Sequence, residues 1–148
     1  MIEERLSSKE MQGLEADYEK IANIDKLISQ REIELEWPYR EFQDENVGGG
    51  RSTITSFKAQ GLIEAKENDA YLQRLYRLKK IKEDLFLDMT KQQKKIYELR
   101  WCTNDYYDWR MVGGLLEPPL AQAQMYRKRE KLLELLAKKE GILKNDNI

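Results

Sequence analysis

The sequence contains no histidine and a single cysteine, Cys102. The absence of histidine excludes Ser-His and Cys-His nucleophilic sites and histidine-containing zinc sites. One cysteine permits neither an intramolecular disulfide nor a Cys-x-x-Cys metal site. The paired carboxylates Glu83-Asp84 and Asp105/Asp108 are expected to be solvated or to cap helices. These absences predict a protein that is not an enzyme and that holds no cofactor and no metal.

Long apolar runs are also missing. No segment approaches the ~20 apolar residues that a membrane span needs, and Met1-Ile2-Glu3-Glu4-Arg5 lacks the apolar region of a secretory signal. A soluble cytoplasmic protein is therefore expected. Proline is rare, Leu, Glu and Lys are abundant, and no stretch alternates as a strand would. The sequence predicts an all-α fold.

Charge is distributed unevenly along the chain, although the net charge is only −1. Residues 1–70 hold 9 Lys and Arg against 16 Asp and Glu, a net of −7. Residues 71–148 hold 17 Lys and Arg against 11 Asp and Glu, a net of +6. This division indicates an anionic partner for the second half, although solvated helices also carry charge for no other purpose.

The first long helix is predicted over residues 8–36. It opens with the capping box Ser7-Ser8-Lys9-Glu10, and Trp37-Pro38 is expected to end it because proline disfavours helix in the preceding residue. Its stripe packs either against the second long helix of the chain or against another copy, as a coiled-coil seam would. The stripe consists of Met11, Leu14, Tyr18, Ile21, Ile24, Ile28 and Leu35.

An irregular stretch over residues 39–55, with a glycine-rich joint at 43–53, is predicted to follow. Gly48-Gly49-Gly50-Arg51-Ser52 lacks the preceding strand, the glycine spacing and the lysine of a phosphate-binding loop, so a flexible joint is expected. Helix returns near Ser56 and becomes strong from Asn68. Residues 1–89 are thus predicted to form a two-helix antiparallel arm. The second stripe consists of Tyr71, Leu72, Leu75, Leu78, Ile81 and Leu85.

Three helical patterns follow in residues 90–148, which are predicted to form a separate domain. Thr90-Lys91-Gln92-Gln93 caps a helix over 90–101. After the polar break at 102–105, Asp105 is expected to cap a short helix that Gly113-Gly114 ends. Pro118 or Pro119 is expected in the first turn of the last helix, and Gly141 closes it. The expected buried residues are Ile96, Leu99, Tyr97, Trp109, Val112, Met125, Leu132, Leu133 and Leu136.

A short helix, a turn with glycine and a longer basic helix make a helix-turn-helix arrangement, although a generic helical hairpin fits the spacing equally well. Gln forms bidentate hydrogen bonds with adenine, and Arg forms them with guanine. Lys and Arg also neutralise backbone phosphates. Trp101, Tyr106, Tyr107 and Trp109 are expected in the core, although they could stack on bases. The base-reading candidates are Gln122, Gln124, Tyr126 and Arg127, and the backbone candidates are Lys128, Arg129, Lys131 and Arg110.

The order of these parts resembles the RinA/ArpU-like group of bacteriophage transcriptional regulators from Gram-positive hosts. The most specific pieces are the stretch Asp44-Glu45-Asn46-Val47-Gly48-Gly49-Gly50-Arg51 and the run from Ala123 to Leu133, within a resemblance over residues 20–141. It implies a helix-turn-helix similar to region 4 of sigma factors, and activation of phage late or packaging genes through upstream DNA.

The predicted function is sequence-specific binding of double-stranded DNA to regulate transcription in the cytoplasm of a bacterial host. The host RNA polymerase is a further candidate partner, and no membrane partner is expected. A homodimer is expected because two half-sites multiply a limited affinity. Two alternatives stay open: a small terminase-like packaging subunit, and a structural coiled-coil protein that does not bind DNA.

Overall fold

The computed structural model describes the backbone of residues 5–45 and 51–144 and the side chains of residues 5–37 and 59–144. Within these ranges the chain forms seven α-helices and no strand, which confirms the predicted all-α fold. No helix in the described part is long and apolar enough to cross a bilayer. The helices are α1 (Ser8–Ala22), α2 (Ile24–Glu45), α3 (Arg51–Asn68), α4 (Ala70–Asp88), α5 (Lys91–Trp101), α6 (Trp109–Leu115) and α7 (Gln122–Glu140).

The chain divides into two compact units. Unit 1 comprises residues 1–23 and 80–148, and unit 2 comprises residues 24–79. This division differs from the predicted boundary between an arm at 1–89 and a domain at 90–148. The physical reason is that α1 packs against α5 and α7, so a helix near the start of the chain supplies part of the core around the last helix.

The predicted apolar stripe is confirmed in α1, where Leu14, Tyr18 and Ile21 are fully buried. The Tyr18 ring stacks on Trp101 with centroids 4.3 Å apart, and its hydroxyl donates to the carbonyl oxygen of Leu132 at 2.6 Å. Burial raises the pKa of Tyr18 above its ordinary value. Because unit 1 covers these side chains, they cannot form the seam for self-association that the sequence left open.

The helix predicted over 8–36 is interrupted at Asn23, where α1 ends and α2 begins. The predicted capping box at its start is confirmed, since Ser7 and Glu10 exchange hydrogen bonds at 2.9 and 3.1 Å. The Asn23 side-chain amide donates to the carbonyl oxygen of Glu19 at 3.0 Å. Asparagine competes with helix in this way by bonding to nearby backbone, which explains why the break falls there.

The prediction that Trp37-Pro38 ends the first long helix is wrong, because α2 continues to Glu45. Proline removes one N–H donor, but its fixed φ near −65° is itself helical. Within the predicted irregular stretch 39–55, residues 39–45 and 51–55 are helical, and the predicted helix restart near Ser56 is wrong since α3 begins at Arg51. The glycines at the centre of the predicted joint, Gly48-Gly49-Gly50, lie outside the described residues.

Unit 2 combines buried aliphatic residues with ion pairs between its helices. Arg31 on α2 forms a bidentate ion pair with Asp69, in which Nη2 lies 2.6 Å from Oδ1 and Nε lies 3.0 Å from Oδ2. Lys66 on α3 pairs with Glu36 on α2 at 2.9 Å. Tyr71 of the predicted stripe is exposed instead of buried, and Ile81 in unit 1 is only half-buried. Among the described side chains of unit 2, the buried aliphatic residues are Ile24, Ile28, Leu72, Leu75 and Leu78.

The segment from α4 to α5 positions the remaining core of unit 1. Thr90 caps α5 and shares reciprocal hydrogen bonds with Gln93 at 2.9 and 3.1 Å, as the sequence predicts. Tyr97 on α5 is buried against Phe86 on α4, with ring centroids 5.1 Å apart. The end of α5 is thereby fixed where Trp101 meets α1.

Candidate nucleic-acid interface

The short helix α6 begins with Asp108 and not with the predicted Asp105. The Asp108 carboxylate accepts the backbone N–H of Met111 at 2.8 Å, whereas Asp105 is exposed. Trp109 and Val112 are buried, as predicted. Gly113 and Gly114 do not end α6, because the helix continues through both to Leu115. Glycine weakens a helix without forbidding it, and here one glycine has a packing role.

Gly113 allows α6, the following turn and α7 to approach one another closely. The backbone N–H of Leu120 donates to the carbonyl oxygen of Gly113 at 3.0 Å. A Cβ at Gly113 would lie 3.1 Å from the carbonyl oxygen of Leu120 and 3.3 Å from Cγ of Met125. The turn between the two helices is therefore built against a bare backbone, and a larger residue at Gly113 would push it away.

The two prolines precede α7 and do not lie in its first turn as predicted. α7 begins at Gln122 with Ala121 as its N-cap, and the Glu117–Pro118 bond is cis. Alanine offers no oxygen to cap the helix, but the Gln124 carboxamide accepts the N–H of Ala121 at 3.2 Å. To form bidentate hydrogen bonds with adenine, Gln124 has to release the N–H of Ala121 or accept a second hydrogen bond at the same carboxamide oxygen.

The inner face of α7 is the predicted one. Its C-terminus is closed by Gly141, which adopts a left-handed φ of 79°. The N–H of Ile142 then reaches the carbonyl oxygen of Ala137 at 2.8 Å, the bond expected when a glycine ends a helix. The buried residues of α7 are Met125, Leu132, Leu133, Leu136 and Ala137.

Four of the predicted contact residues share the opposite face of α7. Arg127 and Lys128 lie three and four residues after Gln124, and Lys131 lies four and three residues after them, which places the four side by side. Gln124, Arg127 and Lys131 are exposed, and Lys128, at the edge of this face, is half-buried. We call these four residues the outer face of α7. It presents one amide and three cations to solvent.

Three other predicted contact residues lie outside this face. Gln122 and Tyr126 are exposed and four residues apart, with the Gln122 amide 3.5 Å from the Tyr126 hydroxyl. Arg110 is exposed on α6, in the same helix as the exposed apolar residues Met111 and Leu115. The structure thus keeps Gln122 and Tyr126 together and gives Arg110 a separate position on the preceding helix.

Arg129 points into unit 1, away from the outer face. Its Nη2 atom contacts Glu15 on α1 at 2.8 Å, and its guanidinium lies 5.9 Å from the Trp109 ring centroid. Its side chain is only 19% exposed. The charge of Arg129 is therefore used inside the unit, which sets it apart from Arg127 two residues earlier.

Glu15 is the residue that the sequence analysis missed. Its carboxylate accepts the indole N–H of Trp109 at 2.8 Å and contacts Arg129 and, at 3.5 Å, Arg100. The Nε atoms of Arg100 and Arg129 are buried without a hydrogen-bond partner. We call Glu15, Arg100, Trp109 and Arg129 the Glu15 cluster. Its members lie up to 114 residues apart, so no local spacing could reveal them.

The aromatic residues and the remaining carboxylates take mostly structural places. Trp101 and Trp109 are buried with centroids 5.5 Å apart, as the core interpretation predicted. Tyr106 was expected with them but is 86% exposed, with a left-handed φ of 53°. Glu83 and Asp84 are exposed. Among the described residues no group of three potential ligands could hold a metal ion.

Charge is balanced in unit 1 as a whole, so the −7 and +6 halves of the sequence do not correspond to the two units. Residues 1–23 carry three cationic and six acidic side chains, and residues 80–148 carry fourteen cationic and eleven acidic side chains. Unit 1 therefore has seventeen cationic and seventeen acidic side chains. The local distribution is different, because residues 122–129 contain three cations and no acid. Since Arg129 faces Glu15, the first two turns of α7 contribute two cations, Arg127 and Lys128, and no acid to the outer face.

These features define an all-α protein in which a short helix and a turn precede a longer helix. The longer helix has one polar and cationic face. The chain belongs to the family DUF722, described as a protein of unknown function, which matches residues 8–138. No curated protein and no solved structure matches the chain.

Proposed function

We propose that the protein binds double-stranded DNA sequence-specifically and regulates transcription, with the outer face of α7 in the major groove. The observation that carries this proposal is that Gln124, Arg127, Lys128 and Lys131 occupy one face of the second helix of a helix-turn-helix arrangement. An α-helix fits the major groove, and its exposed side chains meet the base edges there.

Each exposed side chain has a role that its chemistry suits. Arg127 donates two hydrogen bonds to guanine, and Gln124 pairs with adenine. Lys131, whose side chain is 74% exposed and lies 3.6 Å from Glu134, neutralises a phosphate and sets the register of the helix. The absence of acid from residues 122–129 favours approach to a polyanion. Arg129 is left out of the proposed contact set because Glu15 already holds it.

The finer proposal is a bacteriophage regulator that activates late or packaging genes in the bacterial cytoplasm. It rests on the resemblance to the RinA/ArpU-like group, whose members carry a helix-turn-helix similar to region 4 of sigma factors. A homodimer and a contact with the host RNA polymerase belong to the same proposal. Since the α1 stripe is covered within unit 1, the dimer contact has to use another surface.

The test begins by selecting duplexes from a random library with the full chain. Binding to the selected duplex is then compared with binding to a scrambled duplex between about 50 and 200 mM salt. A DNA-binding protein shows affinity that falls with salt and is higher for the selected duplex. No salt-dependent affinity would instead support a structural coiled-coil protein, and a ring-sized mass in solution would support a terminase-like subunit.

Arg127→Ala is expected to lower affinity for the selected duplex by about 1–3 kcal/mol and to relax specificity at one base pair. Lys131→Ala should weaken both duplexes alike and reduce the salt slope by about 1. Lys26→Ala is the matched control, because it removes an exposed lysine from unit 2. Unchanged binding of the selected duplex by Arg127→Ala would refute the assignment of the outer face.

A further inference from the structure

The Glu15 cluster joins four helices of unit 1 at a single carboxylate. Arg100 reaches it from α5, Trp109 from α6 and Arg129 from α7, at distances of 3.5, 2.8 and 2.8 Å. Glu15 itself lies on α1, which is separated from these helices by the whole of unit 2 in the sequence. A negative charge with two guanidinium groups and an indole N–H around it has a defined direction to each partner.

We propose that Glu15 is a positioning residue that fixes the rotation of α7 about its axis, and so decides which side chains of α7 face the DNA. The inference rests on the proposed function. Arg127 and Arg129 are two residues apart, which corresponds to about 200° around a helix. Any rotation of α7 that separates Arg129 from Glu15 therefore turns Arg127 by the same angle.

A second contact between α1 and α7 makes the attachment more specific. The Tyr18 hydroxyl donates to the carbonyl oxygen of Leu132 at 2.6 Å, three residues beyond Arg129. Glu15 and Tyr18 are likewise three residues apart on α1. Two directional contacts at matching spacing restrict both sliding and rotation of α7, whereas a single contact would leave one of these motions open.

The apolar core alone does not supply this restriction. Leu132, Leu133 and Leu136 keep α7 docked, but hydrophobic contacts are non-directional and depend on the area buried. A small rotation that keeps these side chains covered costs little apolar burial. It moves the outer face relative to the base edges, where hydrogen bonds need donor–acceptor distances of about 2.7–3.2 Å and near-linear angles. The hydrogen bonds and charges of the cluster therefore add a directional restraint to the close packing of the core.

The decisive variant is Glu15→Gln in the full chain. A purely electrostatic role and a positioning role of Glu15 predict opposite changes in the affinity for the selected duplex. Removing a negative charge from a DNA-binding unit should by electrostatics alone raise the affinity for a polyanion. If Glu15 positions α7, the variant instead lowers affinity for the selected duplex by about 5- to 150-fold, the cost of losing one base contact. Affinity for the scrambled duplex should then stay the same or rise.

Two further variants separate positioning from a direct or a merely stabilising role. Arg129→Met should lower affinity for the selected duplex, and Arg129→Lys should recover part of it because a cation again faces Glu15. Equal losses on selected and scrambled duplexes would show that Arg129 contacts phosphate and would overturn the inference. Asp88→Asn is the control, since it removes the partner of Lys139 at the far end of α7 and should change binding by less than about twofold.

Hydrogen exchange in the absence of DNA tests the same inference independently of the proposed function. Amides in the first two turns of α7 should exchange faster in Glu15→Gln than in the unaltered chain, at a temperature where both are folded, while amides of α4 stay unchanged. If no duplex is bound at all, the proposed function fails and this measurement alone decides. Unchanged exchange in α7, or undiminished affinity for the selected duplex, would overturn the positioning role.

Discussion

Unit 1 and unit 2 are both helical, but they place their charges differently. Unit 1 holds the Glu15 carboxylate between the Trp109 indole and two guanidinium groups, where its side chain is 19% exposed. Unit 2 has ion pairs between α2 and the segment at the end of α3 and the start of α4, as in Lys66–Glu36 and Arg31–Asp69. In unit 1 the charges orient a helix that a large core already holds, whereas in unit 2 they join the helices themselves.

This difference predicts that the two units respond to different perturbations. Unit 1 should be sensitive to loss of apolar volume and insensitive to salt, because burial of apolar surface is its main stabilising contribution. Unit 2 should be sensitive to pH and salt, because partly exposed ion pairs are screened and their carboxylates titrate. Trp101 and Trp109 report on unit 1 and Trp37 on unit 2, so fluorescence can distinguish them.

The largest expected effect is that of Leu132→Ala in unit 1. Leu132 is fully buried on the inner face of α7, and loss of such a side chain leaves a cavity that costs about 2–5 kcal/mol. Urea unfolding in a Trp37→Phe background, which leaves only the unit 1 tryptophans, measures the change. The control Leu87→Ala removes a leucine that is 83% exposed and should stay within about 0.5 kcal/mol. Equal effects of the two variants would contradict the burial of α7 against α1.

A smaller effect is expected from Gly113→Ala, which tests the close approach of α6 and α7. The new methyl group would lie 3.1 Å from a backbone carbonyl that belongs to the turn, and such overpacking costs about 1–3 kcal/mol. Alanine recovers up to about 1 kcal/mol of helix propensity, so a net destabilisation of about 1 kcal/mol is expected.

Gly114→Ala is the matched control for this variant. It lies in the same helix with open space around its Cβ position and should stabilise the chain by about 0.5–1 kcal/mol. Thermal unfolding of the two variants should thus move in opposite directions. A rise in both melting temperatures would show that the turn has room to relax and that Gly113 is not required there.

Local signals in the sequence predicted local structure well. The capping boxes at Ser7 and Thr90, the glycine cap at Gly141 and the inner face of α7 are confirmed, because each depends on residues within a few positions of one another. The three- and four-residue spacing of Gln124, Arg127 and Lys131 likewise places them on one face of α7. Such patterns follow from helix geometry alone.

Features that depend on distant partners could not be predicted in this way. Helical spacing places Arg129 on the side of α7 that carries Met125 and Leu132, but its partner Glu15 comes from α1, more than a hundred residues earlier. The net charge of each half was also misleading, since acidic α1 joins the basic helices of unit 1. The low helix propensity of proline and glycine predicted helix ends at Pro38 and at the glycines of α6. The helices continue there because the surrounding residues favour helix more strongly.

The smallest expected effect, and the sharpest contrast between the units, concerns Asp69 in unit 2. The Arg31 guanidinium, together with the N–H of Leu72 at 2.8 Å, lowers the pKa of Asp69 from 3.8 to about 2. A carboxyl whose pKa is lowered in the folded state stabilises it above the unfolded pKa and loses this contribution as pH falls through the folded pKa. Stability from Asp69 should therefore be full above about pH 4 and vanish towards pH 2.

Asp69→Asn tests this expectation, because asparagine can still cap α4 but cannot pair with Arg31 as a charge. The variant should be less stable than the unaltered chain at pH 6, and the two should converge as pH falls towards 2. High salt at pH 6 should reduce the same difference. Hydrogen exchange of amides in residues 70–79 follows unit 2 directly, while the tryptophan signal of unit 1 should not respond. A difference between the two proteins that stays constant from pH 6 to pH 2 would mean that the charge of Asp69 does not stabilise unit 2, and the contrast between the units would then rest on packing alone.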